Sequence, residues 1–236
     1  IKSIGRKWTR SKVETLERFG DSIYDMSVYK NLKGRWHAYY HEVDILQETI
    51  VDKKKTNILL LSSDNQINLE VVGSLAKEIE NGTIDSELES KRIYLLDWKE
   101  LLKQYESGVD FKNELEKVLN EALKAEDIIL VLNDFGAFIE KLNIYGIEAD
   151  KLLKNTLDST TTQLIALSEI DNYRESIEPD FNLSKQFHRI DIKDLNKKNI
   201  MHVLKTQAFI IEDEEKINFT YPGLLIIGEI ILRRHP

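Results

Sequence analysis

Four continuous apolar runs, separated by segments with helical periodicity, constrain the fold of this chain more than any other feature. The runs are NILLL (residues 57–61), RIYLLD (92–97), DIILVLND (127–134) and TQLIALS (162–168). Strands that are apolar on both faces are typical of a parallel sheet with helices on each side. We therefore predict an α/β fold, a three-layer sandwich with a central parallel sheet, in which HRIDI (188–192) adds a further strand.

The segments around these runs predict the covering helices. After the first run a polar loop is predicted at residues 62–68, followed by a helix over residues 69–80, where Leu69, Val72, Leu75 and Ile79 recur at helical spacing. The other predicted helices span residues 13–20, closed by a glycine cap, and residues 41–55, 110–125, 147–159, 199–209 and 221–234.

The change of pattern near residue 195 predicts the domain organisation. We expect residues 1–40 to form an N-terminal lead-in segment and residues 41–196 to form a large α/β subdomain. Residues 197–236 are then the start of a small helical subdomain, a partial lid that is cut short, with its last helix opened by Pro222.

Composition excludes several classes of function. The chain has no cysteine among its 236 residues, which rules out disulfides, thiolate metal sites and a cysteine nucleophile. The formal net charge of -8 argues against nucleic acid and anionic membranes as partners. No apolar run is long enough to span a bilayer, so the expected location is cytoplasmic.

Polar residues follow each predicted strand, at residues 62–65, 97, 133–134 and 168–169. In an open parallel sheet, ligands bind at the carboxyl ends of the strands. A strand, a polar loop and a helix is also the layout of a phosphate-binding loop, yet residues 62–69 contain neither glycine nor lysine. Ordinary polar turns are the alternative interpretation.

Other constellations carry weaker signals. His37 and His41 share an i, i+4 spacing, but no HExxH motif accompanies them, and we expect no metal site. Ser62 and Ser63 follow a strand without the GxSxG motif of a nucleophile elbow. Trp98 is expected to pack against a neighbouring helix.

Several long stretches together resemble the first ATPase domain of Clp-type AAA+ unfoldases such as ClpB and ClpC. EVVGSLAKEIENGTIDSELESKRIYLLDWKELL (residues 70–102) resembles the helix and strand that follow the family's phosphate loop. DFKNELEKVLNEALKAEDIILVLNDF (110–135) resembles GEFEERLK...L........ILFIDE, and LIALSEIDNYRESIEPDFNLSKQF (164–187) resembles GATTLDEYR.YIEKD.AL.RRF. LERFGDSI (16–23) extends the resemblance, which implies the AAA+ P-loop-type fold.

The resemblance also shows where this sequence departs from the family's phosphate loop, GxxxxGK[ST]. The two glycines fall on Ser62 and Ile67, the lysine on Asn68 and the threonine on Leu69. Glycines let backbone N–H groups surround a phosphate, the lysine adds positive charge, and the hydroxyl binds Mg²⁺. The resemblance thus implies a degenerate phosphate and Mg²⁺ site at Ser62, Ser63, Asp64, Asn65, Asn68 and Leu69, together with Asn133.

The remaining family motifs are changed as well. The strand-end Asp-Glu pair corresponds to Asn133 and Asp134, so that Asp134 is a remnant of the base that activates water. The sensor threonine corresponds to Ser168. The two intersubunit arginines correspond to Lys185 and Gln186, and lysine is a poor replacement for a bidentate guanidinium.

The aromatic pore residue of the family falls on Ser107 in an ungapped alignment, with Tyr105 two places earlier. Because the changed groups act as one unit, we expect a pseudo-ATPase with no cofactor. It would serve as a structural or regulatory module, in ring-type contact with its own copies or a partner, in a protein-unfolding or protein-remodelling assembly. The alternative is an ATP-binding switch or slow ATPase of a Clp-type chaperone, in which Asn68→Lys with Leu69→Thr would raise the affinity for ATP and Mg²⁺.

Overall fold

The computed structural model describes residues 12–32, 39–52, 57–105, 107–193, 200–201, 204–205, 208–209, 211–212 and 215–234. Six strands form one sheet in the order β1-β3-β4-β5-β2-β6. They are β1 (Gly20–Ser22), β2 (Ile58–Ser62), β3 (Arg92–Leu96), β4 (Ile128–Leu132), β5 (Gln163–Glu169) and β6 (His188–Asp191). Strands β2 to β6 are parallel, which confirms the predicted parallel sheet, and β1 adds an antiparallel edge next to β3.

Helices cover both faces of this sheet. They are α1 (Glu14–Phe19), α2 (Ser27–Lys30), α3 (Tyr40–Val51), α4 (Asn65–Asn81), α5 (Trp98–Gln104), α6 (Gly108–Ala125), α7 (Phe135–Ile144), α8 (Ala149–Leu157), α9 (Ile170–Asn172), α10 (Phe181–Ser184) and α11 (Tyr221–Arg234). A 3₁₀ turn at Ile23–Asp25 precedes α2, and a π-helical turn at Tyr173–Ile177 follows α9.

The apolar runs are continuous because each central strand is buried on both faces. In β4, Ile128, Leu130 and Leu132 pack into one core with α6 and α7. Ile129 and Val131, which point the other way, pack into a second core with α3 and α4. The two cores on opposite faces of the sheet confirm the predicted three-layer sandwich.

The helix after β2 begins earlier than predicted. The polar loop predicted at residues 62–68 is wrong, because β2 runs to Ser62 and α4 begins at Asn65, which leaves only Ser63 and Asp64 between them. Asp64 accounts for the difference, since its side chain accepts a hydrogen bond from the Gln66 N–H at 2.8 Å and so caps the helix.

Six strands and α-helices of the described residues were not predicted from the sequence: β1, α2, α5, α7, α9 and α10. Helix α1 ends at Phe19 as expected, but Gly20 does not form a left-handed cap. It has an extended backbone with φ of -142° and begins β1. A Cβ atom at Gly20 would lie 2.9 Å from the carbonyl oxygen of Leu16, so the close approach of α1 to β1 requires glycine here.

The structure can be compared with the predicted domain organisation at both ends of the chain. In the predicted lead-in segment, Leu16 and Phe19 of α1 belong to the core that α6 also lines, and residues 1–11 and 33–38 lie outside the described residues. Helix α11 confirms the last predicted helix, and the described residues within 199–209 are helical. The predicted domain boundaries stay predictions. No helix within the described ranges has the length and apolarity that a bilayer crossing needs.

Candidate functional site

The carboxyl ends of the parallel strands bring several of the predicted residues together. Strand pairing sets Ser62 of β2 opposite Glu169 of β5, and Leu132 of β4 opposite Ala166 of β5. The turns that follow β2 and β4 and the end of β5 therefore lie at one edge of the sheet. This edge is the candidate site.

The turn between β2 and α4 is closed by its own hydrogen bonds. The Ser62 hydroxyl is fully buried and donates to the carbonyl oxygen of Asp64 at 2.6 Å. The carboxylate of Asp64 caps Gln66, and its carbonyl oxygen also accepts from the Ile67 N–H at 2.9 Å. Ser63 and Asp64 are exposed. Two backbone donors at the start of α4, the N–H groups of Gln66 and Ile67, are thus directed to Asp64.

Two buried asparagines tie α4 to the neighbouring strands. Asn68 is fully buried, and its side-chain amide donates to Asn65 Oδ1 at 3.1 Å and to the carbonyl oxygen of Ser168 at 3.0 Å. Its own Oδ1 is buried without a hydrogen-bond partner. Leu69, the next residue, packs against the core below α4. The positions that correspond to the family's lysine and threonine are therefore both turned into the structure.

Asp134 stands at the centre of the site, at the start of α7. Its backbone is left-handed, with φ of 51°, a conformation that aspartate tolerates better than most residues. One carboxylate oxygen accepts from the side-chain amide of Asn65, and the other forms an ion pair with Lys99 from the first turn of α5. Both oxygens of the proposed remnant base are therefore engaged. We refer to Asn65, Asn68, Lys99, Asp134 and Ser168 as the polar network.

Asn133, which precedes Asp134, contacts Trp98 through its backbone. Its carbonyl oxygen accepts a hydrogen bond from the indole nitrogen of Trp98 at 2.8 Å, while its side-chain Oδ1 is buried without a partner. The Trp98 ring packs edge-on against Phe138 of α7 with 5.6 Å between centroids, which confirms its predicted helix contact. Ser168 joins the network through its backbone, because its hydroxyl is bonded to the carbonyl oxygen of Glu169 at 3.0 Å.

The predicted intersubunit and pore residues are not part of the polar network. Lys185 and Gln186 are exposed just after α10, and Lys185 Nζ is 3.3 Å from Asn182 Oδ1. Tyr105 is half-buried and packs edge-on against Phe19 at 6.1 Å, so its ring faces the core. Ser107 is exposed and precedes α6.

Lys99 was missed by sequence analysis. It lies two residues beyond Asp97, at the end of β3, where strand ends were already expected to gather polar groups. The available signal was position alone, and the short helix α5 that carries Lys99 was itself not predicted. No group of three or more His, Asp or Glu side chains is placed to hold a metal ion within the described part of the chain, and His37 lies outside that part.

Comparison with known proteins supports the resemblance seen in the sequence. No family model matches the chain. An ATP-dependent Clp protease ATP-binding subunit ClpA homolog of Cyanidium caldarium is 28% identical over 207 residues, which covers 86% of this chain and 24% of that protein. The chloroplastic chaperone protein ClpC of Pisum sativum is 23% identical over 232 residues, covering 97% of this chain and 25% of that protein.

The solved structures show the same architecture. Hsp104 in its closed state with ATPγS and FITC casein superimposes with a TM-score of 0.72 at 15% identity, over 92% of this chain and 37% of that chain. The chain has the fold of a Clp-type AAA+ domain. This AAA+ domain spans about a quarter of the length of the curated relatives it matches. An Hsp104–ADP complex of S. cerevisiae has the same fold, with a TM-score of 0.68 at 16% identity over 87% of this chain and 29% of that chain.

Proposed function

We propose that this AAA+ domain is a structural or regulatory module that neither binds nor hydrolyses ATP. The observation that carries the proposal is the polar network itself. The groups that a nucleotide and its metal would need, at the start of α4 and on Asp134, are already bound to other parts of the protein.

The start of α4 supports this proposal on electrostatic grounds. A phosphate-binding loop presents several free backbone N–H groups and a lysine to the anion. Here the turn has two residues, and the carboxylate of Asp64 occupies the N-cap position that a phosphate would approach. Asn68 is buried within α4 and carries no charge. A phosphate would therefore meet a negative charge and two backbone donors, those of Gln66 and Ile67, that are already bonded to Asp64.

The end of β4 supports the proposal on chemical grounds. Mg²⁺ in nucleotide sites is held by carboxylates and water, whereas Asn133 offers a neutral amide. A general base must be free to contact the attacking water, but both oxygens of Asp134 have partners in Asn65 and Lys99. As these side chains are arranged, they do not fit ATP with Mg²⁺.

The relatives support a role in protein remodelling. They are named as a Clp protease ATP-binding subunit and a chaperone, and this chain corresponds to one domain of such proteins. We propose ring-type self-association, or packing against a catalytic partner, through surfaces that do not sense nucleotide. The exposed pair Lys185 and Gln186, which stands where the family has two arginines, is consistent with contacts of this kind.

Calorimetry and phosphate release on the same sample test the proposal. The purified protein would be titrated with ATP and Mg²⁺, with Asp134→Asn as the matched control. We expect no binding tighter than about 100 μM, which corresponds to roughly 5.5 kcal/mol. Phosphate release should be equal in the two proteins, because a background activity does not depend on Asp134.

Each other outcome identifies a different function. A dissociation constant for ATP below about 100 μM, without turnover, would make the domain a nucleotide switch. Phosphate release that is lost in Asp134→Asn would make it a slow ATPase. Sedimentation velocity with and without ATP tests the assembly, and the proposal requires the same distribution of oligomers in both samples.

A further inference from the structure

The ion pair between Lys99 and Asp134 points to a specific role for the lysine. We infer that the Lys99 ammonium is a built-in cation that occupies the metal-facing side of Asp134 and so decides that this site does not take a divalent metal ion. The inference rests on the proposed function, because it explains how a site with the AAA+ fold is kept closed to metal and nucleotide.

The position of Lys99 is fixed by an anchored neighbour. Its ammonium lies 5.5 Å from the centroid of the Trp98 ring, within the range of a cation–π contact. Trp98 is itself held by its hydrogen bond to the backbone of Asn133 and by Phe138. The ammonium therefore contacts the Trp98 ring as well as the carboxylate, although the lysine side chain is 56% exposed.

The group that the ammonium contacts is an oxygen acceptor of the kind that hard cations bind. It is the carboxylate of Asp134, whose side chain is 27% exposed. Carboxylate oxygens are ligands for Mg²⁺ and Mn²⁺. Without Lys99, the half-buried Asp134 carboxylate would lose its positively charged partner. A divalent cation could then take the place of the ammonium.

Charge also explains why the lysine excludes the metal. An ammonium at the Asp134 carboxylate neutralises the only formal negative charge of the polar network. A metal ion approaching the pair would be repelled by the ammonium and would have to displace it from the carboxylate. Lys99 is therefore a specificity-determining residue rather than a catalytic one.

The test compares metal binding by three proteins in the absence of nucleotide. Mn²⁺ is titrated into the wild type, Lys99→Met and Lys99→Met/Asp134→Asn, and free Mn²⁺ is followed by electron paramagnetic resonance. Methionine keeps the unbranched stem and removes the charge. We expect Lys99→Met to bind Mn²⁺ about tenfold more tightly than the wild type, and its melting temperature to rise with Mn²⁺.

The double variant should lose this gain, because it has no carboxylate to offer. Lys99→Arg, which retains the charge, should behave like the wild type. Lys99→Gln replaces Lys99→Met in the same comparison if the methionine variant does not fold. Equal Mn²⁺ affinity in the wild type and the uncharged variant, or a gain that survives Asp134→Asn, would overturn the inference. ATP binding by the wild type would instead overturn the proposed function, so the two failures are distinct.

Discussion

Restoring a lysine at position 68 should damage this protein rather than repair a phosphate site. Asn68 is fully buried, and its amide holds Asn65 Oδ1 and the backbone of Ser168. Asn68→Lys removes both hydrogen bonds and places a charged amine between α4 and β5. The change therefore tests whether the first turn of α4 is a fixed part of the fold or a closed form of a binding loop.

The cost can be worked out from these contacts. Two lost hydrogen bonds account for about 2 kcal/mol at about 1 kcal/mol each. Burying the ammonium adds several kcal/mol, lowered to the extent that the stem can carry the charge toward solvent. We expect a total loss of about 3 to 5 kcal/mol in the free energy of unfolding, or roughly 6 to 20 °C in melting temperature for a chain of this size.

Urea unfolding and calorimetry measure the outcome. Gln66→Lys is the matched control, because it adds the same charge to the same helix turn at an exposed position, and it should change stability by less than about 0.5 kcal/mol. The reasoning fails if Asn68→Lys costs no more than Gln66→Lys. It also fails if Asn68→Lys with Leu69→Thr binds ATP and Mg²⁺ tighter than about 100 μM, since the turn would then have opened around the phosphates.

Two further predictions concern packing and alkaline pH. Gly136→Ala should lower the free energy of unfolding by about 1 to 3 kcal/mol in urea, because its Cβ would lie 2.8 Å from the Cβ of Asn172. A gain of about 1 kcal/mol, the usual helix-propensity benefit of alanine, would show that the contact relaxes. Burial, together with the hydrogen bond to Glu80 and its charge, raises the pKa of Tyr29 above its ordinary value of 10.0. The unfolded chain therefore loses this proton first, and stability should fall as the pH rises above about 10. In Tyr29→Phe, the free energy of unfolding, measured by urea between about pH 9 and 11, should fall less steeply with pH than in the wild type. Identical slopes in the two proteins would contradict the raised pKa of Tyr29.

The sheet was predictable because its central strands are buried on both faces. Runs such as IILVL in β4 cannot alternate, and the resulting pattern is hard to confuse with a surface element. Two of the elements that were not predicted, β1 and α5, are too short to show a pattern. Strand β1 has three residues and depends on its pairing with β3, and α5 has only seven residues, so neither leaves a periodic signal of its own.

The site was harder to predict because buried polar groups look like loop residues. Asn65 and Asn68 are polar, and their sequence context predicted a loop, whereas in the structure they lie inside α4. Their partners are Asp134, which follows β4, and the backbone of Ser168 in β5. Only the folded sheet brings those partners close. The same is true of Lys99, which is separated from Asp134 by 35 positions in the sequence and meets it at the edge of the sheet.

Strand β1 also affects whether copies of this protein can aggregate through the edge of the sheet. Without it, β3 would present an open row of backbone donors and acceptors. The strand is only three residues long, carries exposed Asp21 at its centre, and is preceded by a helix whose first turn is fastened to Glu121 of α6 by three hydrogen bonds. A short, charged and anchored border of this kind is a poor template for another strand. We therefore expect the N-terminal segment to disfavour aggregation by strand pairing at this edge, in addition to completing the sheet.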